Sequence, residues 1–227
     1  MKHWVSLLDN SSLWKPKESI SNGIRVFYDP TYKDVYFTPG PGSSIPALCY
    51  SEELKQFSSM LSYNGTEAMF PWDGNFYSLH KKDKLKLWHN FVGDYNMIYE
   101  QFNPYYISFI SNDNPLITKV FDIVEYQANL FDDTGELYDR PFNKIEVHNE
   151  YQYSEAILDS MNTRKKFRVW RTNIPRSSKV TSINGNVERT KLGRARIRNP
   201  WVNIKLTNDN EDTNKLVLSS AIVDYSI

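Results

Sequence analysis

Four short stretches decide the fold class: Ile24-Arg25-Val26-Phe27-Tyr28, Asp29-Pro30, Asp34-Val35-Tyr36-Phe37-Thr38 and Pro39-Gly40-Pro41-Gly42. The first and third are β-branched and aromatic, residue types that fit a pleated, half-buried surface. The second is a turn dipeptide. The fourth stops any regular element, because proline lacks an N–H donor and glycine tolerates unusual angles. Two strands joined by a turn are the result. The same rhythm continues outward. Residues 47–51 and 56–63 read as strands, and Asn64-Gly65 is a turn dipeptide. Residues 75–79 and 84–88 flank His80-Lys81-Lys82-Asp83 as a hairpin. A strand every 8 to 15 residues, roughly, fits an all-β meander.

Past residue 95 the pattern stays β-rich. Residues 105–110 and 117–126 are strand-like, separated by Asn112-Asp113-Asn114-Pro115. Residues 142–148 alternate apolar and polar, as a half-buried strand does. Residues 150–161 read either as strand and loop or as one short helix. Residues 167–170 read as a strand, and 177–193 as a polar loop rich in Gly and Asn. Residues 201–206 and 216–223 close the chain as two strands around Asn208-Asp209-Asn210-Glu211-Asp212. The expected fold is therefore mainly all-β. Residues 1–95 would form incomplete β-propeller-like blades, and 96–227 a β-sandwich-like domain. A blade takes about 40 to 45 residues and a propeller at least about four blades. The first 95 residues offer two at most, so another chain or segment would have to complete them.

Composition sets the bounds on function. The chain has 227 residues, 27 Lys and Arg, 27 Asp and Glu, and a formal net charge of 0. That excludes a globally basic nucleic-acid coat and a globally acidic tail. One cysteine, Cys49, excludes an internal disulfide framework. No apolar run is long enough to span a membrane as a helix. The start is too weakly apolar for a secretory signal, and the expectation is a soluble protein. The neutral sum hides a sorted distribution. Residues 112–159 hold 11 acids and 3 bases, whereas 164–198 hold 12 bases and 1 acid. So dense a basic block calls for an anionic partner or a solvated surface. Nucleic acid, the acidic block of the same chain and that of a neighbouring copy all satisfy it.

Catalytic motifs are weak. Asp133-Thr134-Gly135 matches the aspartic-protease triplet, whose chemistry needs two carboxyls sharing a proton. Its acidic flanks favour a plain turn. His3, His80, His89 and His148 stand at no metal spacing, and neither usual phosphate-binding glycine loop occurs. Asp209, Glu211 and Asp212 lack the spacing and central glycine of a calcium loop. Cys49 reads as a buried thiol rather than a nucleophile. A glycan hydrolase with paired carboxylates is a third possibility, but no spacing singles out a pair. No enzyme activity, cofactor or metal is expected.

The basic block is the unusual feature. It reads Arg164-Lys165-Lys166-Phe167-Arg168-Val169-Trp170-Arg171 and then Arg194-Ala195-Arg196-Ile197-Arg198-Asn199-Pro200-Trp201. On a strand, Phe167, Val169 and Ile197 would face away from Arg168 and Arg196. The expected interaction residues are Arg168, Trp170, Arg171, Arg176, Arg196, Arg198 and Trp201. They would serve as a subunit interface, since Arg and Trp mark interfaces, or as a DNA-facing surface built from cations and rings.

Phe167-Arg168-Val169-Trp170-Arg171-Thr172-Asn173-Ile174-Pro175-Arg176, followed by Arg196-Ile197-Arg198-Asn199-Pro200-Trp201, resembles the C-terminal end of the tail stabilisation or muzzle proteins of crAss-like bacteriophages. Cys49-Tyr50-Ser51-Glu52, residues 57–63, Asn75-Phe76-Tyr77-Ser78, Lys119-Val120-Phe121-Asp122 and Asn149-Glu150-Tyr151-Gln152 agree with it. These motifs are long but not catalytic. The resemblance implies a structural component of a short-tailed virion, placed at the distal tail. It implies a ring of copies around the DNA exit channel. The partners would be other copies, the rest of a longer tail protein, neighbouring ring proteins and, transiently, the exiting DNA. The alternative reading is a nucleic-acid-binding module using residues 164–201.

Overall fold

The computed structural model describes residues 23–40, 45–132, 134–138, 140–159, 162–177, 180–181, 187–188, 195–210 and 214–227. Every regular element among them is a β-strand. They divide into two compact units, one of residues 1–93 and 98–101, the other of 94–97 and 102–227.

In the first unit, β1 (Ile24–Asp29), β2 (Asp34–Pro39), β3 (Ala47–Ser51) and β4 (Gln56–Leu61) make a four-stranded antiparallel sheet in chain order. β5 (Thr66–Trp72), β6 (Asn75–His80) and β7 (Asp83–His89) make a three-stranded one. The sequence reading omits β5 because Pro71 interrupts its pattern. β5 lies at the sheet edge, where a missing N–H is tolerated. Side chains help to bend the chain between strands. Asp29 Oδ1 accepts the Thr31 N–H at 2.8 Å, and Lys33 then takes a φ of 56°. Gly65 follows Asn64 at φ +79°, and a Cβ there would fall 2.8 Å from His80 Nε2. Tyr36, Ala47, Cys49, Tyr63, Met69 and Phe76 pack as one core drawn from both sheets. Cys49 is buried, and that burial raises its thiol pKa.

A short hairpin follows, β8 (Met97–Ile98) with β9 (Gln101–Phe102). The second unit then runs through β10 (Tyr105–Ser111), β11 (Lys119–Phe131), β12 (Leu137–Tyr138), β13 (Lys144–His148) and β14 (Tyr153–Ile157). It continues with β15 (Thr163–Lys166), β16 (Val169–Asn173), β17 (Val180–Thr181), β18 (Val187–Glu188), β19 (Ile197–Asn199), β20 (Val202–Asn208) and β21 (Lys215–Ser226). One sheet has the order β10-β20-β13-β14. The other is built on β11. β21 lines one edge of β11 from Val120↔Ser226 to Phe131↔Lys215. β19, β16 and β12 line its other edge in succession, with β15 outside β16. Among the described residues β17 and β18 pair with each other alone.

The two sheets share one core. Ile145, Val147, Ile204 and Leu206 come from the first, and Val124, Tyr126, Trp170, Ile197 and Val223 from the second. Each such side chain contributes about 1.5 to 3 kcal/mol by leaving water. One open choice closes on strand and loop, and one sequence expectation changes. Residues 150–161 contain strand β14 and no helix among the described residues. Phe167 and Arg168 are not strand residues but the turn between β15 and β16. Met161, Asp133, Glu211, Asp212, Arg194 and most of the expected loop 177–193 lie outside the described residues.

Candidate interaction surface

β11 places the acidic block against the basic one. Alternation along it, reset by an irregularity between Phe121 and Ile123, buries Phe121, Val124, Tyr126, Ala128 and Leu130 and turns Asp122 and Glu125 outward. Register then brings the charges together. Glu125 lies opposite Arg171 of β16, and the Arg171 Nε to Glu125 Oε1 distance is 2.6 Å. Arg171 Nη2 also reaches Asp224 of β21 at 3.8 Å, across β11. Arg196 Nη1 donates to Asp122 Oδ1 at 3.3 Å, while the Ser226 hydroxyl donates to Asp122 Oδ2 at 3.0 Å. These pairs are solvent-accessible, so each contributes about 0 to 1 kcal/mol. They fix which carboxylates remain available to an outside partner.

The other sheet repeats the arrangement. Glu146 of β13 lies between Lys144 at 3.2 Å and Lys205 at 3.0 Å. Partial burial resists its charge, but hydrogen bonds and attraction from Lys205 and Lys144 outweigh that. They hold the carboxyl below the ordinary glutamate value.

The expected site residues scatter. Trp170 is 4% exposed and belongs to the core. Its Nε1–H donates to the Ala128 carbonyl at 3.2 Å, and its ring stacks on Tyr126. Burial pushes the Tyr126 phenol up to about 12. Trp170 is thereby withdrawn from the surface, because the buried face of β16 carries the even-numbered residues Trp170 and Thr172. Val169 shares the outward side with Arg171. Trp201 is half-buried. Arg176 is exposed, and its carbonyl accepts the Ser154 hydroxyl at 2.7 Å. Arg196 and Arg198 point outward on either side of buried Ile197, as alternation requires.

Asn149 and Gln152 have a role that sequence reasoning missed. Asn149 Oδ1 accepts the N–H groups of Tyr151 and Gln152, each at 2.8 Å. The Arg198 N–H donates to Gln152 Oε1 at 2.7 Å, and Gln152 Nε2 donates to the Arg196 carbonyl at 3.0 Å. Asn149 Nδ2 donates to the Arg198 carbonyl at 3.4 Å. Asn149-Glu150-Tyr151-Gln152 is thus a turn that clamps β19. The Asn-to-Gln spacing was the available signal. Lys119 was also missed. It is fully buried, donates to the Pro200 carbonyl at 2.8 Å, and lies 5.1 Å from the centre of the Tyr225 ring.

The hairpin of β15 and β16 carries the remaining cations. Lys166 pairs with Val169, leaving Phe167 and Arg168 as a two-residue turn with φ of 48° and 70°. This is the type I′ geometry that Asn-Gly or Asp-Gly usually occupies. Asp73-Gly74 does so between β5 and β6, with φ of 49° and 72°. An L-residue with a side chain costs roughly 1 to 2 kcal/mol in that conformation. Phe167 is 88% exposed. Asp132, by contrast, anchors an ordinary turn. Its Oδ1 accepts the Thr134 hydroxyl at 2.7 Å and the Glu136 N–H at 2.8 Å, and these bonds lower its pKa. Thr134 and Gly135 of the protease-like triplet lie in that turn. Among the described residues no cluster of His, Cys, Asp and Glu could hold a metal ion.

Comparison with known proteins gives the chain a family. Residues 1–82 match the family model of the crassvirus muzzle protein, and residues 93–177 match that of its C-terminal domain. The chain belongs to the crassvirus muzzle protein family. The muzzle protein of Bacteroides phage crAss001 is 36% identical over 229 residues, which takes in 99% of this chain and 15% of that protein. The chain therefore spans about 15% of the length of that curated relative. The C-terminal muzzle match includes Asp122, Glu125, the β15–β16 hairpin and Arg171. Arg171–Glu125 and Lys144–Glu146 fall wholly within that match, whereas Asp224, Arg196 and Lys205 lie beyond it.

Proposed function

We propose that this chain is a non-enzymatic structural component of a phage virion, built into a ring at the distal tail around the DNA exit channel. Kinship with the muzzle family carries the reading. The architecture agrees with it: broad antiparallel sheets and aromatic cores. Residues 1–95 and 96–227 act as two modules. The four- and three-stranded sheets of the first are blade-sized, and other segments of the assembly complete them. Neighbouring copies and adjacent tail proteins are the partners. Arg176, Arg198 and Trp201 belong to the surface they meet. Arg171 and Arg196 pair with carboxylates of their own chain and present their outer edges to that surface.

Peptide mass spectrometry of purified particles tests this. Peptides of this chain should appear in several copies per particle, at levels near those of other tail proteins. Their absence from particles, with abundance in infected cells, would refute the reading.

A further inference from the structure

The exposed end of the β15–β16 hairpin has no acidic counterpart among the described residues. Arg164, Lys165, Lys166 and Arg168 are all exposed, and none pairs with a carboxylate among the described residues. Arg164 also lies directly opposite Arg171, a like-charge pair across the ladder. Phe167 stands out at the tip with only the Lys166 ammonium near its ring, 5.6 Å from the centre. The Tyr99-Glu100 turn has the same positive φ values, 54° and 60°, but there the strained residue has partners. Tyr99 is hydrogen-bonded to Thr66 at 2.6 Å and to Ser78 at 3.1 Å. Among the described residues no hydrogen bond or ion pair of the Phe167 or Arg168 side chain repays the strain there.

We propose that this tip contacts the phosphate backbone of duplex DNA. A carboxylate surface on a second copy is the competing occupant, and the pairing of Asp122, Glu125 and Glu146 with cations of their own chain lowers the charge it can offer. Single strands are also disfavoured. Their binders stack successive bases on several rings, and this tip carries one. A two-stranded ribbon has the width to enter a major groove, with its cations toward the flanking phosphates. Contacts of this kind are sequence-independent and salt-sensitive, so a duplex slides past them. The biological meaning rests on the proposed place beside the exiting genome. The binding test does not, so the two readings fail separately.

The test is fluorescence anisotropy with the full 227-residue chain and a labelled, mixed-sequence DNA duplex, across a salt series. Four phosphate contacts weaken binding about 100-fold between about 50 and 200 mM salt. Replacing Arg164, Lys165, Lys166 and Arg168 with Gln should lower the log–log salt slope by about 3 to 4. Replacing the exposed Lys33, Lys55, Lys81 and Lys82 with Gln removes equal charge and should leave most of the slope. If the quadruple hairpin variant misfolds by circular dichroism, the milder Lys165→Gln/Arg168→Gln pair should lower the slope by about 2. Absence of duplex binding at low salt would overturn the proposal, as would equal losses in hairpin and control variants. Tighter binding of a single strand would overturn it too. Equal affinity for polyglutamate would assign the tip to a carboxylate surface instead.

Discussion

Replacing Trp170 with Ala distinguishes a core residue from an interface residue. Trp170 is 4% exposed, stacks on Tyr126 at 6.5 Å and donates to the Ala128 carbonyl. Truncating a buried Trp to Ala costs about 3 to 5 kcal/mol, from lost transfer energy and the cavity left behind. Losing the indole donor also strands a buried carbonyl, a penalty of about 1 to 3 kcal/mol that overlaps with this range. A loss near 4 kcal/mol is a large share of the roughly 5 to 15 kcal/mol that holds a domain. It should lower the melting temperature of the second unit by roughly 10 to 20 °C. Guanidinium unfolding followed by near-ultraviolet circular dichroism reads it, with Trp170→Phe as the control. Phe keeps most of the volume and loses the hydrogen bond, so its cost should be about 1 to 2 kcal/mol. The core assignment fails if Trp170→Ala costs under about 1 kcal/mol, the value for a surface side chain.

Three further outcomes are expected. Replacing the turn pair, Phe167→Asn with Arg168→Gly, should stabilise the chain by about 1 to 2 kcal/mol by relieving the left-handed backbone; an unchanged or lower unfolding midpoint would contradict the turn geometry. Glu146 has a folded-state pKa below its ordinary value of 4.5, so its stabilisation is present above that value and disappears as pH falls through the lower folded value. Denaturation at a series of pH values should therefore show a flatter acid limb for Glu146→Gln than for the wild type. Asn149→Ala should cost about 2 to 3 kcal/mol, since it strips partners from the Tyr151 and Gln152 N–H groups and from the Arg198 carbonyl. Amide exchange at residues 197–199 should quicken with it, and unchanged protection there would remove the clamp role.

Much of the fold was legible locally. β1, β2 and β3 lie where β-branched and aromatic runs between turn signals put them, and β6 and β7 where the His80-to-Asp83 hairpin requires. β5 was lost to Pro71, whose tolerance depends on an edge position that no local pattern announces. The β15–β16 turn was lost because Phe-Arg is not a turn dipeptide; only the pairing of Lys166 with Val169 reveals it. Of the candidate surface, the exposed positions of Arg196 and Arg198 followed from alternation around Ile197. The burial of Trp170 did not, because alternation leaves open which of two faces meets the core.

The sequence by itself determined an all-β chain, its sorted charge and its kinship with the muzzle family, because strand alternation, turn chemistry and composition are properties of neighbouring residues. Tertiary structure alone decided which charges are occupied. Arg171 meets Glu125 and Asp224, and Arg196 meets Asp122, through the registers of β16, β19 and β21 on β11. Those strands are far apart in the chain, and a one-residue slip in any pairing would turn every side chain of that strand to the opposite face. Register, not composition, therefore leaves the four cations of the β15–β16 hairpin without a carboxylate partner among the described residues.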